Sequence, residues 1–166
     1  MKDHRTVFIN GRFVPWGEAT VHLLSHSVSR GSAIFEVLSF YEGEEGPSIF
    51  RLDEHVSRLM RTAGLLEMRL PLGEKEIEEG VCETVRRNGL RAGFIKIVGY
   101  YSGIAYEILP PETQLDLAIF VIPSDGDSHR ARGRTGKGFS MGISSWRKLD
   151  PGTVPVEAKV AANYLN

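Results

Sequence analysis

The apolar positions of this chain fall into short runs of strand character and two stretches of helical spacing. "TVFINGRFVPW" (6–16) places two short apolar segments around Asn10-Gly11. Asn-Gly suits a type I′ turn, which needs positive φ at both central residues, so a β-hairpin is predicted. "AIFEVLSFY" (33–41) is a second strand, followed by the turn "EGEEGP" and by "SIFRL" (48–52), which together predict another hairpin. In "DEHVSRLMRTAGLL", Val56, Leu59, Met60, Ala63 and Leu66 recur at helical spacing, with Asp53 as the expected N-cap and Arg58 beside the stripe. A second helix, "EKEIEEGVCETVRRNG", turns Ile77, Val81 and Val85 inward and stops at Asn88-Gly89. Cys82 is expected to pack on it as a small apolar residue, with no catalytic role. "GFIKIVGYY" (93–101) and "LDLAIFVIP" (115–123) are further strands, joined by the loop "SGIAYEILPPET".

The pattern then breaks. Residues 124–138, "SDGDSHRARGRTGKG", are polar, basic and glycine-rich and read as a linker. "FSMGISSWRKL" (139–149) reads as a fresh strand, "DPGTVP" as a turn, and "VEAKVAANYLN" as the opening of a helix. Residues 1–123 thus form one unit with strands and helices in mixed order, an α+β or two-layer α/β domain. Residues 139–166 begin a second unit, and a strand, a turn and a helix start bury no core of their own.

Composition narrows the function classes. The 166 residues are 42% hydrophobic and 25% charged, which suits one globular domain, or one plus part of another. Twenty basic against 21 acidic residues offer no basic excess for nucleic acid or an anionic membrane. The apolar runs are broken by charges, so no bilayer span is expected. "MKDHRTVFING" lacks the apolar core of a signal peptide. With Cys82 as the only cysteine there is no internal disulfide, and a cytoplasmic location is expected.

Four places offer chemistry. His22 and His26 are four apart, but no general-base Glu lies between them and no third ligand is evident, so two loop or strand histidines are expected rather than a metal pair. "GRTGKG" (133–138) lacks the spacing, the Ser/Thr and the preceding strand of a phosphate loop. Phe94, Lys96, Val98 and Tyr100 share one strand face; a lysine there is paired, used, or on an open cleft wall. Lys159 sits among Ala158, Val160, Ala161 and Ala162. Desolvation in such company favours the neutral amine, a nucleophile for carbonyls, although many helices carry one lysine among alanines.

The whole terminal string shifts that balance. "SSWRKLDPGTVPVEAKVAANYL" (144–165) resembles the catalytic-lysine segment of class-IV pyridoxal-phosphate aminotransferases, and its Lys-x-x-x-Asn-Tyr-Leu resembles the branched-chain group. "FINGRFVPWGEATVHLLSHSVSRGSAIFEVLSFY", ending in Gly-x-x-x-Phe-Glu and the strand after it, and "GPSIFRLDEHVSRLMRTA" extend the resemblance upstream. It implies the fold of the D-amino-acid aminotransferase-like enzymes (fold type IV) and a pyridoxal 5'-phosphate cofactor. By this resemblance Lys159 holds the cofactor aldehyde as a Schiff base and then acts as general base. Tyr164 meets the cofactor's phenolic oxygen, Arg58 its phosphate, and Phe35 walls the substrate side-chain pocket. The chain departs from the pattern at Arg30, where many branched-chain members have tyrosine, and at Phe94 and Lys96, where they have a Tyr-x-Arg pair. Phe94 cannot hydrogen-bond a carboxylate and lysine is a point charge, so Arg30 is a candidate carboxylate partner.

The resemblance further implies a chain that continues past Asn166, with the acid on the pyridine nitrogen and most of the phosphate cup supplied there. The expected activity is therefore that of a transaminase moving the amino group of a branched-chain or related amino acid to 2-oxoglutarate, with little turnover by these 166 residues alone. An aminodeoxychorismate lyase of the same family, or a non-catalytic fragment that folds and associates, are the alternatives. The resemblance also implies a homodimer in which the loop "SGIAYEILPP", with Tyr106, reaches toward the neighbour's site. No metal is implied.

Overall fold

The computed structural model describes residues 4–124 and 140–164. Most of the linker expected at 124–138 therefore lies outside the described residues. The first hairpin joins β1 (Thr6–Ile9) to β2 (Arg12–Pro15). Asn10 and Gly11 take φ of 48° and 84°, the double positive turn that the dipeptide predicts. The second joins β3 (Ile34–Gly43) to β4 (Gly46–Ile49). Between the hairpins lies a five-residue helix, α1 (His26–Arg30). The two amphipathic helices are α2 (Leu52–Leu65) and α3 (Glu74–Asn88), and Gly89 ends α3 in the left-handed conformation at φ 62°. Strands β5 (Gly93–Tyr100) and β6 (Asp116–Pro123) pair with each other.

The six strands form one sheet in the order β2-β1-β6-β5-β3-β4, and every pairing is antiparallel. Its core side meets Val56, Leu59 and Ala63 of α2 and Ile77, Val81 and Val85 of α3. From the sheet come Ile34, Leu38, Phe40, Ile95, Ile97, Ile119 and Val121, all buried. Alternation along β3 and β5 explains the sorting, since every second side chain points to the helices. This is the two-layer α+β arrangement that the mixed order of strands and helices predicts. Phe94, Val98 and Tyr100 stay partly open and Lys96 is exposed; Lys96, Val98 and Tyr100 form a cleft wall, and Phe94 lies outside it. No helix among the described residues is long and apolar enough to cross a membrane.

Several local expectations are corrected. Helix α2 begins at Leu52 with Arg51 as its N-cap in the left-handed region. Asp53 lies in the first turn instead, where a carboxylate complements the helix dipole. Strand β4 stops at Ile49, because the chain turns through Phe50 and Arg51 into that helix. Cys82 is exposed, because the stripe of Ile77, Gly80, Val81, Thr84 and Val85 leaves it on the outer side of α3. Residues 140–149 form no strand and are exposed; they pair with none of the six described strands.

The sheet is tight where β5 starts. A Cβ on Gly93 would sit 2.3 Å from the Ile122 carbonyl oxygen and about 3 Å from the Phe40 ring. Both neighbours belong to packed strands and cannot give way cheaply. Gly93→Ala is expected to cost about 1–3 kcal/mol through overpacking, read as a lower urea midpoint with an unchanged slope.

Candidate active site

The site grows from an open sheet edge. β4 pairs only with residues 40–43 of β3, so the first half of β3 has no strand on that side. Residues 158–161 lie along it instead. The Phe35 N–H donates to the Lys159 carbonyl at 3.1 Å and the Ala161 N–H to the Ala33 carbonyl at 2.8 Å. Ile34 and Val160 form an antiparallel bridge, and Ala158 is buried beneath. The Lys159 N–H also donates to the hydroxyl of Thr62, a buried residue of α2, at 3.3 Å. Lys159 is thus not in the helix start that its small neighbours suggest; a single 3₁₀ turn, Ala161–Tyr164, follows it.

That turn brings Tyr164 back over the lysine. The Lys159 Nζ donates to the Tyr164 hydroxyl at 2.7 Å. It lies 4.3 Å from the centre of the Phe35 ring and 4.7 Å from that of Tyr164, and the two rings meet edge-on at 5.1 Å. An ammonium over aromatic faces is stabilised by their quadrupoles. Lys159 is half-buried rather than enclosed. It opens on a cleft of about 290 Å³, bordered also by Arg58, Ala158, Asn163 and Tyr164.

Arg58 reaches the same cleft from α2, where it is three residues after His55 and four before Thr62, on one helix face. Its Nε and Nη2 donate to the two carboxylate oxygens of Glu36, each at 2.6 Å. Glu36 is fully buried on the core side of β3. His55 Nδ1 lies 2.8 Å from the same carboxylate, which can only accept, so Nδ1 carries the proton. The 3.3 Å approach of Arg58 Nη2 to His55 Nδ1 is therefore a contact between two donors sharing one acceptor. Hydrogen bonding to Glu36 holds the Arg58 guanidinium above its usual value against the opposing effect of burial, and it stays charged.

The structure thus brings Lys159, Tyr164, Phe35 and Arg58 together. Lys96 borders the group, with Nζ 5.6 Å from the Phe35 ring centre. It faces a second, apolar cleft of about 420 Å³ that includes Trp16, Val98, Tyr100 and Phe120. Arg30 is exposed at the end of α1, next to Gly31, whose added Cβ would meet the Ala162 methyl at 3.2 Å. Phe94 pairs with Ser39 and Ile122 and borders neither cleft. His26 is buried between the Ser32 hydroxyl and the Ile108 carbonyl, both at 2.8 Å, and His22 accepts from the Leu24 N–H. Glu36, His55 and Thr62 carry no role in the sequence reading. Glu36 alone had a signal: a charge in phase with the core positions Ile34, Leu38 and Phe40 must be paired.

The profile of the family described as amino-transferase class IV matches residues 33–166, and the chain belongs to that family. It is 28% identical over 161 residues to the branched-chain-amino-acid aminotransferase of Salmonella typhimurium, covering 96% of this chain and 52% of the relative. The branched-chain aminotransferase of the archaeon Thermoproteus uzoniensis, solved with norvaline, superposes with a TM-score of 0.85 at 32% identity, over 97% of this chain and 52% of that one. A T.th. branched-chain amino acid aminotransferase, complexed with N-(5'-phosphopyridoxyl)-L-glutamate, gives a TM-score of 0.85 at 32% identity, over 99% of this chain and 53% of that one. The chain spans about half the length of the relatives it matches.

Proposed function

We propose that this chain carries the catalytic lysine of a pyridoxal-phosphate-dependent transaminase that moves the amino group of a branched-chain or related amino acid to 2-oxoglutarate. The observation that carries the reading is the Lys159 amine, 2.7 Å from the Tyr164 hydroxyl and over Phe35, in a cleft that Arg58 also borders. Relatives solved with norvaline and with a phosphopyridoxyl-glutamate adduct support the substrate class and the acceptor.

The donor set fits the cofactor: an amine suits its aldehyde, a phenol its ring oxygen and a guanidinium its phosphate. Pyridoxal phosphate, when bound, supplies an electron-accepting ring for the bond broken at the substrate Cα. Lys159 takes the proton from that carbon of the amino donor and, in the opposite half-reaction, gives one to the matching carbon of the oxo-acid acceptor. Tyr164 holds Nζ in place through its hydroxyl, and Phe35 keeps the amine's surroundings apolar. Lys96 and Arg30 are the proposed partners of a substrate carboxylate. Phe94, two residues from Lys96 on the same strand face, offers that group no hydrogen bond.

Residues 1–123 are proposed as the small domain, 124–138 as the linker, and 139–166 as the beginning of the cofactor-binding domain. The exposed Tyr106, Ile108 and Leu109 support association into a homodimer. The test is the protein expressed from its full reading frame, supplied with pyridoxal phosphate, leucine and 2-oxoglutarate. Glutamate formed only when leucine is present is the expected result. Pyruvate released from aminodeoxychorismate instead would make it the lyase, and neither product would overturn both readings.

A further inference from the structure

Arg58 borders two clefts. One is the Lys159 cleft; the other, of about 300 Å³, is bordered by Arg51, Glu54, His55 and Arg61. A guanidinium on a flexible stem can serve either. We propose that Glu36 is the positioning residue that commits Arg58 to the Lys159 cleft and to the phosphate of its ligand, with His55 as the second anchor of the Glu36 carboxylate. The inference rests on the reading of Arg58 as the phosphate-binding arginine.

Three observations carry it. Glu36 cannot move: it is fully buried on a strand, in phase with Ile34 and Leu38, and its Oε2 also accepts from His55. Its two parallel bonds to Nε and Nη2 fix the plane of the guanidinium, which a single bond would leave free to rotate. The bonds use one edge of the fork, and Nη1 keeps both of its donors free of any protein hydrogen bond among the described residues. A bound anion thus meets a guanidinium already oriented, at no cost in ordering it.

The sign of the effect separates positioning from mere charge balance. If Glu36 acted only as a counter-ion, removing its charge would leave a less neutralised arginine and tighten phosphate binding. Positioning predicts the reverse. The experiment uses the apo form of the protein expressed from its full reading frame, titrated with pyridoxal 5'-phosphate and with pyridoxal, which lacks the phosphate. The ratio of the two affinities isolates the phosphate's contribution, because any unfolded fraction and any change at Lys159 affect both ligands alike. Glu36→Gln is expected to lower that ratio about tenfold, as losing the partner behind a ligand-binding group does in other sites, with pyridoxal affinity unchanged. Glu36→Asp should recover part of it. A ratio that is unchanged or raised in Glu36→Gln, while Arg58→Gln lowers it, would overturn the positioning role and leave the phosphate role of Arg58 standing. A ratio that Arg58→Gln also leaves unchanged would remove the underlying reading, and this inference with it.

Discussion

Lys159→Ala is expected to abolish amino-group transfer, by at least about 10³-fold, while leaving the fold intact. The fold should survive because what docks the segment is mainly backbone: the Lys159 carbonyl and N–H hold Phe35 and Thr62, and Ala158 fills the space beneath. The side chain makes one hydrogen bond, to Tyr164, and two ring contacts near the surface. Chemistry has no substitute for it. Lys96 is the other amine beside Phe35, but it stands farther from the ring and faces the second cleft. Two measurements check this. Borohydride treatment in the presence of pyridoxal phosphate should leave a stable label on Lys159 in the wild type and none in the variant. Lys159→Arg should be as inactive as the alanine variant, since arginine keeps the positive charge but offers no nucleophilic amine. Turnover within tenfold of wild type in either variant would take the catalytic assignment away from Lys159.

What was legible in the sequence followed from local rules. Asn10-Gly11 needs no distant partner to choose its turn, and Gly89 stops α3 in the conformation that favours glycine. The stripes of α2 and α3 and the strands β5 and β6 are written in their periodicity. The lysine segment misled because alanine-rich sequence favours helix on propensity. The unpaired edge of β3 overrode it, by offering backbone partners that only an extended chain can meet. Residues 140–149 pair with no described strand and have no strand structure despite their composition. The site divides in the same way. Lys159, Tyr164 and Arg58 are candidates through motif resemblance. Glu36 and Arg58 lie 22 residues apart and meet only when β3 and α2 pack, so their pairing is tertiary information. Thr62 was hidden for the same reason, since its hydroxyl acquires a purpose only once the Lys159 backbone arrives.

Arg58→Ala is expected to destabilise the protein by about 3 kcal/mol, much more than a helix-surface position would. The cause lies in the residue left behind. Glu36 is wholly out of water, and the substitution removes two of the three hydrogen bonds on its carboxylate. The effect belongs at the low end for a broken buried pair, because His55 remains and the Arg58 side chain is itself 41% exposed. Urea unfolding reads it directly, and a loss below about 1 kcal/mol would mean that Glu36 is adequately held without Arg58. The double variant Glu36→Leu with Arg58→Leu then asks why the pair is kept. Replacing a whole buried ion pair by apolar groups is often neutral or better, so this variant should regain most of the lost stability. It should not regain affinity for the phosphate of pyridoxal phosphate, because no guanidinium remains to meet it. Stability restored without phosphate binding would show that a buried carboxylate is retained here for the ligand and not for the fold. Phosphate affinity at the wild-type level in the double variant would instead place the anion's partners elsewhere in the protein.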